Sequence, residues 1–237
     1  MTAKSYIVTD MEGIVLIEKN ADEIRPIASI TKLVTARASI AFDPAEEIRI
    51  LAEDFKAGRM RSTPLRIGES YTRELLTKLA LISSDNVASL ALARTSTFEF
   101  LLPETMQIVE GSGLDRRNVS SARGIAELAR SMADSELARI SIEPSVTIRN
   151  VTKKSTNPLL TRNGWTFRLS KTGFTNPAGG CLVAVFESGG RYIVAVILGS
   201  RDVPARWRDL IELRKLIDSG SFEGVIVRKP RTKRYKS

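Results

Sequence analysis

The chain has 237 residues, with 36 Lys+Arg against 27 Asp+Glu for a formal net charge of +9, and 43% of it is hydrophobic. That is enough apolar material for one large domain or two small ones, and it excludes a wholly disordered chain. Cys181 is the one cysteine and histidine is absent, which excludes an internal disulfide framework, His-based metal sites, and Ser-His-Asp or Cys-His catalysis.

The N-terminal stretch predicts a β-hairpin, with Tyr6-Ile7-Val8 and Ile14-Val15-Leu16-Ile17 flanking the turn-forming Asp10-Met11-Glu12-Gly13. Residues 28–41 predict a helix, with Ile30, Leu33, Val34 and Ala38 at helical spacing after Pro26. Residues 44–71 are mixed, with strand-like pieces at 48–50 and 65–67. Thr72 is placed to cap a helix through Leu75, Leu76, Leu79 and Ile82, and a second helix follows Asp85-Asn86 from Val87 to about Arg94. Ser120 or Ser121 caps a third, carrying Ile125, Leu128 and Ala129. The C-terminal third is strand-rich: Phe167-Arg168-Leu169, then 181–186 and 192–198 joined at Ser188-Gly189-Gly190. An amphipathic helix over 204–217 follows. The last ten residues, 228–237, hold six basic side chains and no acidic one. Strands at both ends with helices between predict an α+β fold with one antiparallel sheet, a single domain over 1–227 and a basic tail over 228–237. No apolar run approaches the length of a membrane span, and the N-terminus shows no apolar signal core.

Without histidine, acid–base work near neutral pH falls to Lys, Asp, Glu or Tyr with a shifted pKa. Three short motifs supply candidates. Ser29-Ile30-Thr31-Lys32 sits at a helix start, where residues three apart share a face. A serine needs a base to become a nucleophile, and a neutral lysine can serve. Ser84-Asp85-Asn86 lies between two helices, offering a hydroxyl to relay a proton and an amide to hold a carbonyl; a plain helix cap is the competing reading. Ser155-Thr156-Asn157 has the same pattern but lies beside Pro158 with no helix to position it, and is set aside. Lys171-Thr172-Gly173 ends a strand, giving a cation, a hydroxyl for a carboxylate, and a glycine where a substrate approaches the backbone. All three in this order arise by chance about once in a thousand such chains.

These three motifs are the set of penicillin-binding proteins and class A β-lactamases. The stretch Arg25-Pro26-Ile27-Ala28-Ser29-Ile30-Thr31-Lys32-Leu33-Val34-Thr35-Ala36 resembles the active-site helix of the low-molecular-mass D-alanyl-D-alanine carboxypeptidases. Residues 79–86, Ser112-Gly113-Leu114-Asp115, Asn118 to Ala122 and residues 171–182 resemble the same family. Asn163-Gly164-Trp165 is similar to its endopeptidase branch. The resemblance covers most of 4–217. It implies a DD-peptidase/β-lactamase-like fold with the active-site serine in the helical cluster. It implies Ser29 as the acylated nucleophile, Lys32 as its base, and Ser84 and Asn86 as the second motif. Lys171, Thr172 and Gly173 would bind substrate, with Lys171 and Thr172 on the terminal carboxylate, and the backbone N–H groups of Ser29 and Phe174 would form the oxyanion hole. No cofactor and no metal are implied. Lys171 is expected to depress the Lys32 pKa by like-charge repulsion.

The implied function is a serine DD-peptidase acting on peptidoglycan stem peptides, as a carboxypeptidase or an endopeptidase, with β-lactams as inhibitors. A class A-like β-lactamase is the alternative, but beyond Glu143-Pro144 its deacylating loop pattern is missing. A structural or wall-binding component of a virus particle is the other. The segment between Asn86 and Gly111 is shorter than in the family. The expected site of action is the cell wall or periplasm; without a visible signal, a mature form, an unusual export route or a virus-encoded, particle-associated protein is expected. The basic tail is expected to meet an anionic wall polymer or another subunit, and no nucleic acid partner is expected.

Overall fold

The apolar runs near the C-terminus are continuous rather than alternating, and the architecture shows why. The computed structural model describes residues 1–58, 62–97 and 102–220. Strand β1 (Ser5–Asp10) turns into β2 (Val15–Lys19); the Asp10 carboxylate accepts from Ile14 N at 2.7 Å and Gly13 takes φ +91°. The short β3 (Arg25–Pro26) leads into a 3-10 turn, Ala28–Ile30, and then α1 (Thr31–Ser39). Next come β4 (Glu47–Arg49), α2 (Ala52–Gly58), β5 (Ser70–Thr72), α3 (Arg73–Ile82) and α4 (Asn86–Arg94). After β6 (Val119–Ser120) the chain forms α5 (Ala122–Met132), α6 (Glu136–Ser141), β7 (Ser145–Ile148) and β8 (Val151–Lys154). It closes with β9 (Phe167–Thr175), β10 (Gly179–Ser188), β11 (Arg191–Ser200) and α7 (Val203–Asp218).

The five-stranded antiparallel sheet has the order β2-β1-β11-β10-β9. Successive side chains point to opposite faces. Cys181, Val183, Val185, Val194, Val196 and Leu198 join the core with the helical cluster, while Leu182, Ala184, Phe186, Ile193, Ala195 and Ile197 pack with Leu210, Leu213 and Ile217 of α7. Both faces are covered, so no position on these central strands can be polar without a partner. Burying each large side chain stabilises the fold by about 1.5–3 kcal/mol. Helix α1 is likewise buried all round apart from Arg37, which puts Lys32 in the interior. Strand β9, with the Lys-Thr-Gly motif, is the sheet's edge.

The expected caps form. Thr72 Oγ1 accepts from Leu75 N, Asp85 from Ala88 N, and Ser121 rather than Ser120 accepts from Gly124 N. Other expectations are corrected. The helix expected over 28–41 begins as a 3-10 turn and is α-helical over Thr31–Ser39. The strand-like piece at 65–67 is not a strand: Leu65 is buried and Ile67 exposed, but a turn at Gly68, φ +85°, takes their place in the ladder, and Ser70–Thr72 pairs with β4 instead. Helices α2 and α6 and the β7–β8 hairpin were not expected. The basic tail lies outside the described residues.

A buried carboxylate ties α7 to the end of the sheet where β1 begins and β11 finishes. Asp209, 1% exposed, accepts from Thr2 N at 2.7 Å, Thr2 Oγ1 at 2.9 Å and Ser200 Oγ at 2.7 Å. Asp209→Ala leaves the buried Ser200 hydroxyl and the two Thr2 donors without their acceptor. It is expected to lower the unfolding free energy by about 2–4 kcal/mol, read as an earlier urea midpoint with an unchanged slope.

Candidate active site

The nucleophile candidate sits on a forced turn. Ala28, just before Ser29, takes φ +47°, a conformation that costs a non-glycine residue roughly 1 kcal/mol or more. Two glycines let the neighbouring chain close around it. A Cβ on Gly113, itself at φ +84°, would lie 2.1 Å from the Ala28 carbonyl oxygen; one on Gly173 would lie 2.8 Å from Ser29 N and 3.0 Å from the Ile27 carbonyl oxygen. Gly173 is therefore needed for the close approach of β9 to the backbone of Ser29. Ser29 itself remains partly accessible.

Lys32 lies one helical turn on, with its side chain fully buried. Its Nζ is 2.9 Å from Ser29 Oγ, 2.8 Å from Asn86 Oδ1 and 2.5 Å from the Ser112 carbonyl oxygen. Burial pushes the Lys32 amine down to about 7, against the carboxylates of Glu110 and Asp85, which favour the ammonium. This corrects the expected cause: burial dominates. Like-charge repulsion is felt instead at Lys171, whose amine burial pushes well below its ordinary value, with Lys32 and then Arg206 adding to the shift.

Ser84 and Asn86 occupy the α3–α4 turn. Ser84 takes φ +60°, the buried Asp85 caps α4, and Asn86 turns its Oδ1 to Lys32 while an amide N–H donates to the Gly58 carbonyl at 3.0 Å. The second motif thus serves both as a cap and as a support for the Lys32 amine. On β9, Lys171 is 1% exposed and donates to the Thr172 carbonyl at 3.2 Å. Phe174 follows Gly173 and is 44% exposed. Cys181 pairs with Gly173 across the sheet; burial pushes its thiol up to about 11, so it is no competing nucleophile.

Four contributors escaped sequence reasoning. Thr156, in the stretch set aside, accepts from Thr172 Oγ1 at 2.7 Å, and its neighbour Asn157 donates to Ser170 Oγ at 2.9 Å; no helix was needed, because β9 itself positions them. Arg206, on α7, is buried and donates to the Gly173 carbonyl at 2.9 Å. Glu110 holds the loop that presents Ser112. A cavity of about 560 Å³ is walled by Asp54, Leu90, Arg94, Ile108 and Val109; neither Ser29, Lys32 nor Lys171 lines it, so it is not the catalytic cleft.

The profile of the D-alanyl-D-alanine carboxypeptidase family matches residues 1–97 and 99–202. A D-alanyl-D-alanine endopeptidase of Pseudomonas aeruginosa is 30% identical over 249 residues, covering 95% of this chain and 80% of that protein. One of Escherichia coli is 29% identical, covering 87% and 74%. The crystal structure of a peptidoglycan synthesis regulatory factor from Streptococcus pneumoniae superposes with a TM-score of 0.81 at 27% identity, over 92% of this chain and 80% of that one. The ampicillin-bound penicillin-binding protein D2 of Listeria monocytogenes gives 0.77 at 23% identity, over 91% and 97%, and shares the fold.

The closeness of Gly173 to Ser29 N gives a direct test. Gly173→Ala should push β9 away from the nucleophile and cut acylation of Ser29 by a labelled penicillin by about a hundredfold. Circular dichroism is expected to show the fold retained.

Proposed function

Since the chain belongs to the D-alanyl-D-alanine carboxypeptidase family, we propose that its serine-type D-Ala-D-Ala peptidase activity runs through an acyl-enzyme on Ser29. The observation that carries this reading is the buried Lys32 amine, 2.9 Å from Ser29 Oγ and held at about 7. Near neutral pH a large fraction of it is unprotonated, unlike that of a free lysine. Neutral Lys32 takes the hydroxyl proton as Ser29 Oγ attacks the carbonyl carbon of a D-alanyl residue. The oxygen of the tetrahedral intermediate is stabilised by the backbone N–H groups of Ser29 and Phe174, two donors worth a few kcal/mol each. The C–N bond breaks, and the leaving amine takes a proton passed on from Lys32 through Ser84. Water then hydrolyses the ester with the same lysine as base.

Substrate lies along β9, an edge strand with its outer side unpaired among the described residues. Its terminal carboxylate meets Lys171 and Thr172. Lys171 is a buried amine beside Lys32 and Arg206, so an anion there relieves the repulsion. β-Lactams, carbonyl compounds with a carboxylate at similar spacing, acylate Ser29 in the same way; the Listeria relative is solved with ampicillin and with cefotaxime. The similar endopeptidases favour the D-alanyl cross-link of peptidoglycan as the bond cut, and such a substrate supports a site of action at the cell wall or periplasm. Glu143 acts on Lys78, on α3, and is not assigned a deacylating role.

Two measurements test the reading. Acylation by a labelled penicillin should rise with pH through about 7, because protonated Lys32 cannot accept the Ser29 proton; an adduct that persists in Ser29→Ala sinks the assignment. Incubation with purified peptidoglycan, followed by mass analysis, should show cross-linked dimers falling to monomers, while loss of single alanines from monomers would mark the carboxypeptidase instead.

A further inference from the structure

The loop that touches Lys32 is wound around a carboxylate that the reaction scheme above does not use. Glu110 Oε2 accepts from Ser112 N and Ser112 Oγ, both at 2.6 Å. Its Oε1 accepts from Gly113 N at 2.6 Å, Asp115 N at 3.2 Å and Asn118 Nδ2 at 2.9 Å. Five donors on one carboxylate fix the path of residues 110–118, and charge-assisted bonds of this kind are roughly twice as strong as neutral ones.

The loop is also pinned to the elements that carry the site. The Gly111 carbonyl accepts from Thr35 Oγ1 of α1 at 2.8 Å and from Ser89 Oγ of α4 at 2.6 Å. The Asn118 carbonyl accepts from Ile27 N, just before the nucleophile turn, at 3.1 Å. Between these anchors the Ser112 carbonyl points at Lys32 Nζ.

We propose that Glu110 is a positioning residue for the peptidase reaction: its carboxylate gathers the 110–118 loop so that the Ser112 carbonyl holds the Lys32 amine against Ser29. A carbonyl placed there accepts from the ammonium after Lys32 has taken the Ser29 proton, and it steers the lone pair of the neutral amine toward the hydroxyl before that step. The carboxylate also sets the charge balance around the base. Asp85, from the α3–α4 turn, joins it in favouring the ammonium against burial, while on the β9 side the neighbouring cations are Lys171 and Arg206, where the repulsion falls on the Lys171 amine. Removing the Glu110 charge makes Lys32 lose its proton at lower pH.

This inference rests on Ser29 acylation assisted by Lys32, and the test separates the two. Acylation by a labelled penicillin is followed from about pH 5 to pH 9 in the wild type, Glu110→Gln and Glu110→Asp, with circular dichroism as the fold check. Absence of a Ser29 adduct in the wild type defeats the parent reading. Given that adduct, Glu110→Gln is expected to lower the plateau rate about tenfold and move the acid limb down by about half a unit. Well below the limb it then keeps about threefold more of its own plateau rate than the wild type does. Glu110→Asp, which keeps the charge on a shorter arm, should lower the plateau with the limb in place. A Glu110→Gln limb that coincides with that of the wild type overturns the proposal, since a purely structural loop residue lowers the rate at every pH alike. If Glu110→Gln does not fold, Glu110→Asp decides: a plateau equal to the wild type overturns the proposal, and a plateau about tenfold lower with the limb kept supports it.

Discussion

The site depends on one amine kept out of water. A lysine in solvent is a cation at neutral pH and cannot accept a proton; removing solvent from Lys32 makes it a base. The change from 10.5 to about 7 corresponds to a free-energy cost on the order of 5 kcal/mol, a large part of the net stability of an ordinary domain. The surrounding fold offsets that cost. Helix α1 is buried nearly all round, Asn86 at the start of α4 and Ser112 on its loop each present an oxygen to Nζ, and the sheet behind them is closed on both faces by helices.

A second constraint is backbone proximity. The Ser29 turn, β9 and the 110–118 loop meet at distances that leave no room for side-chain carbon, which is why Gly113 and Gly173 stand where they do. The left-handed Ala28 is held by these neighbours from two directions, and Arg206, from the opposite layer, fixes the Gly173 carbonyl. Rigidity of this kind aims backbone N–H groups at a developing charge without reorganisation during the reaction.

Much of this was legible in the sequence. The long apolar runs gave β10 and β11 because burial on both faces leaves no polar alternation, and the three motifs stood out because the nucleophile, base and carboxylate-binding groups proposed for them need particular side chains. What escaped was set by tertiary contact. Glu110 has the look of any loop acid until five donors fold around it. Thr156 lies 16 residues from Thr172 and meets it only across β9, and Arg206 is hidden within an amphipathic helix whose pattern reports packing. The short α2, α6 and β7–β8 pieces hold too few residues for periodicity to show. Gly68 turned an apparent strand at 65–67 into a bend.

The buried lysines also make folding a proton-releasing process. In the unfolded chain both amines titrate near 10.5, whereas the folded protein holds Lys32 at about 7 and Lys171 well below its ordinary value. Between about pH 7 and 10.5 the unfolded state binds more protons, so the contribution of Lys32 to stability rises with pH across that window. Protons expelled as the core closes are taken up by the buffer. The heat of unfolding measured at mildly alkaline pH therefore includes the ionisation enthalpy of that buffer, and the same protein gives different calorimetric enthalpies in phosphate and in Tris.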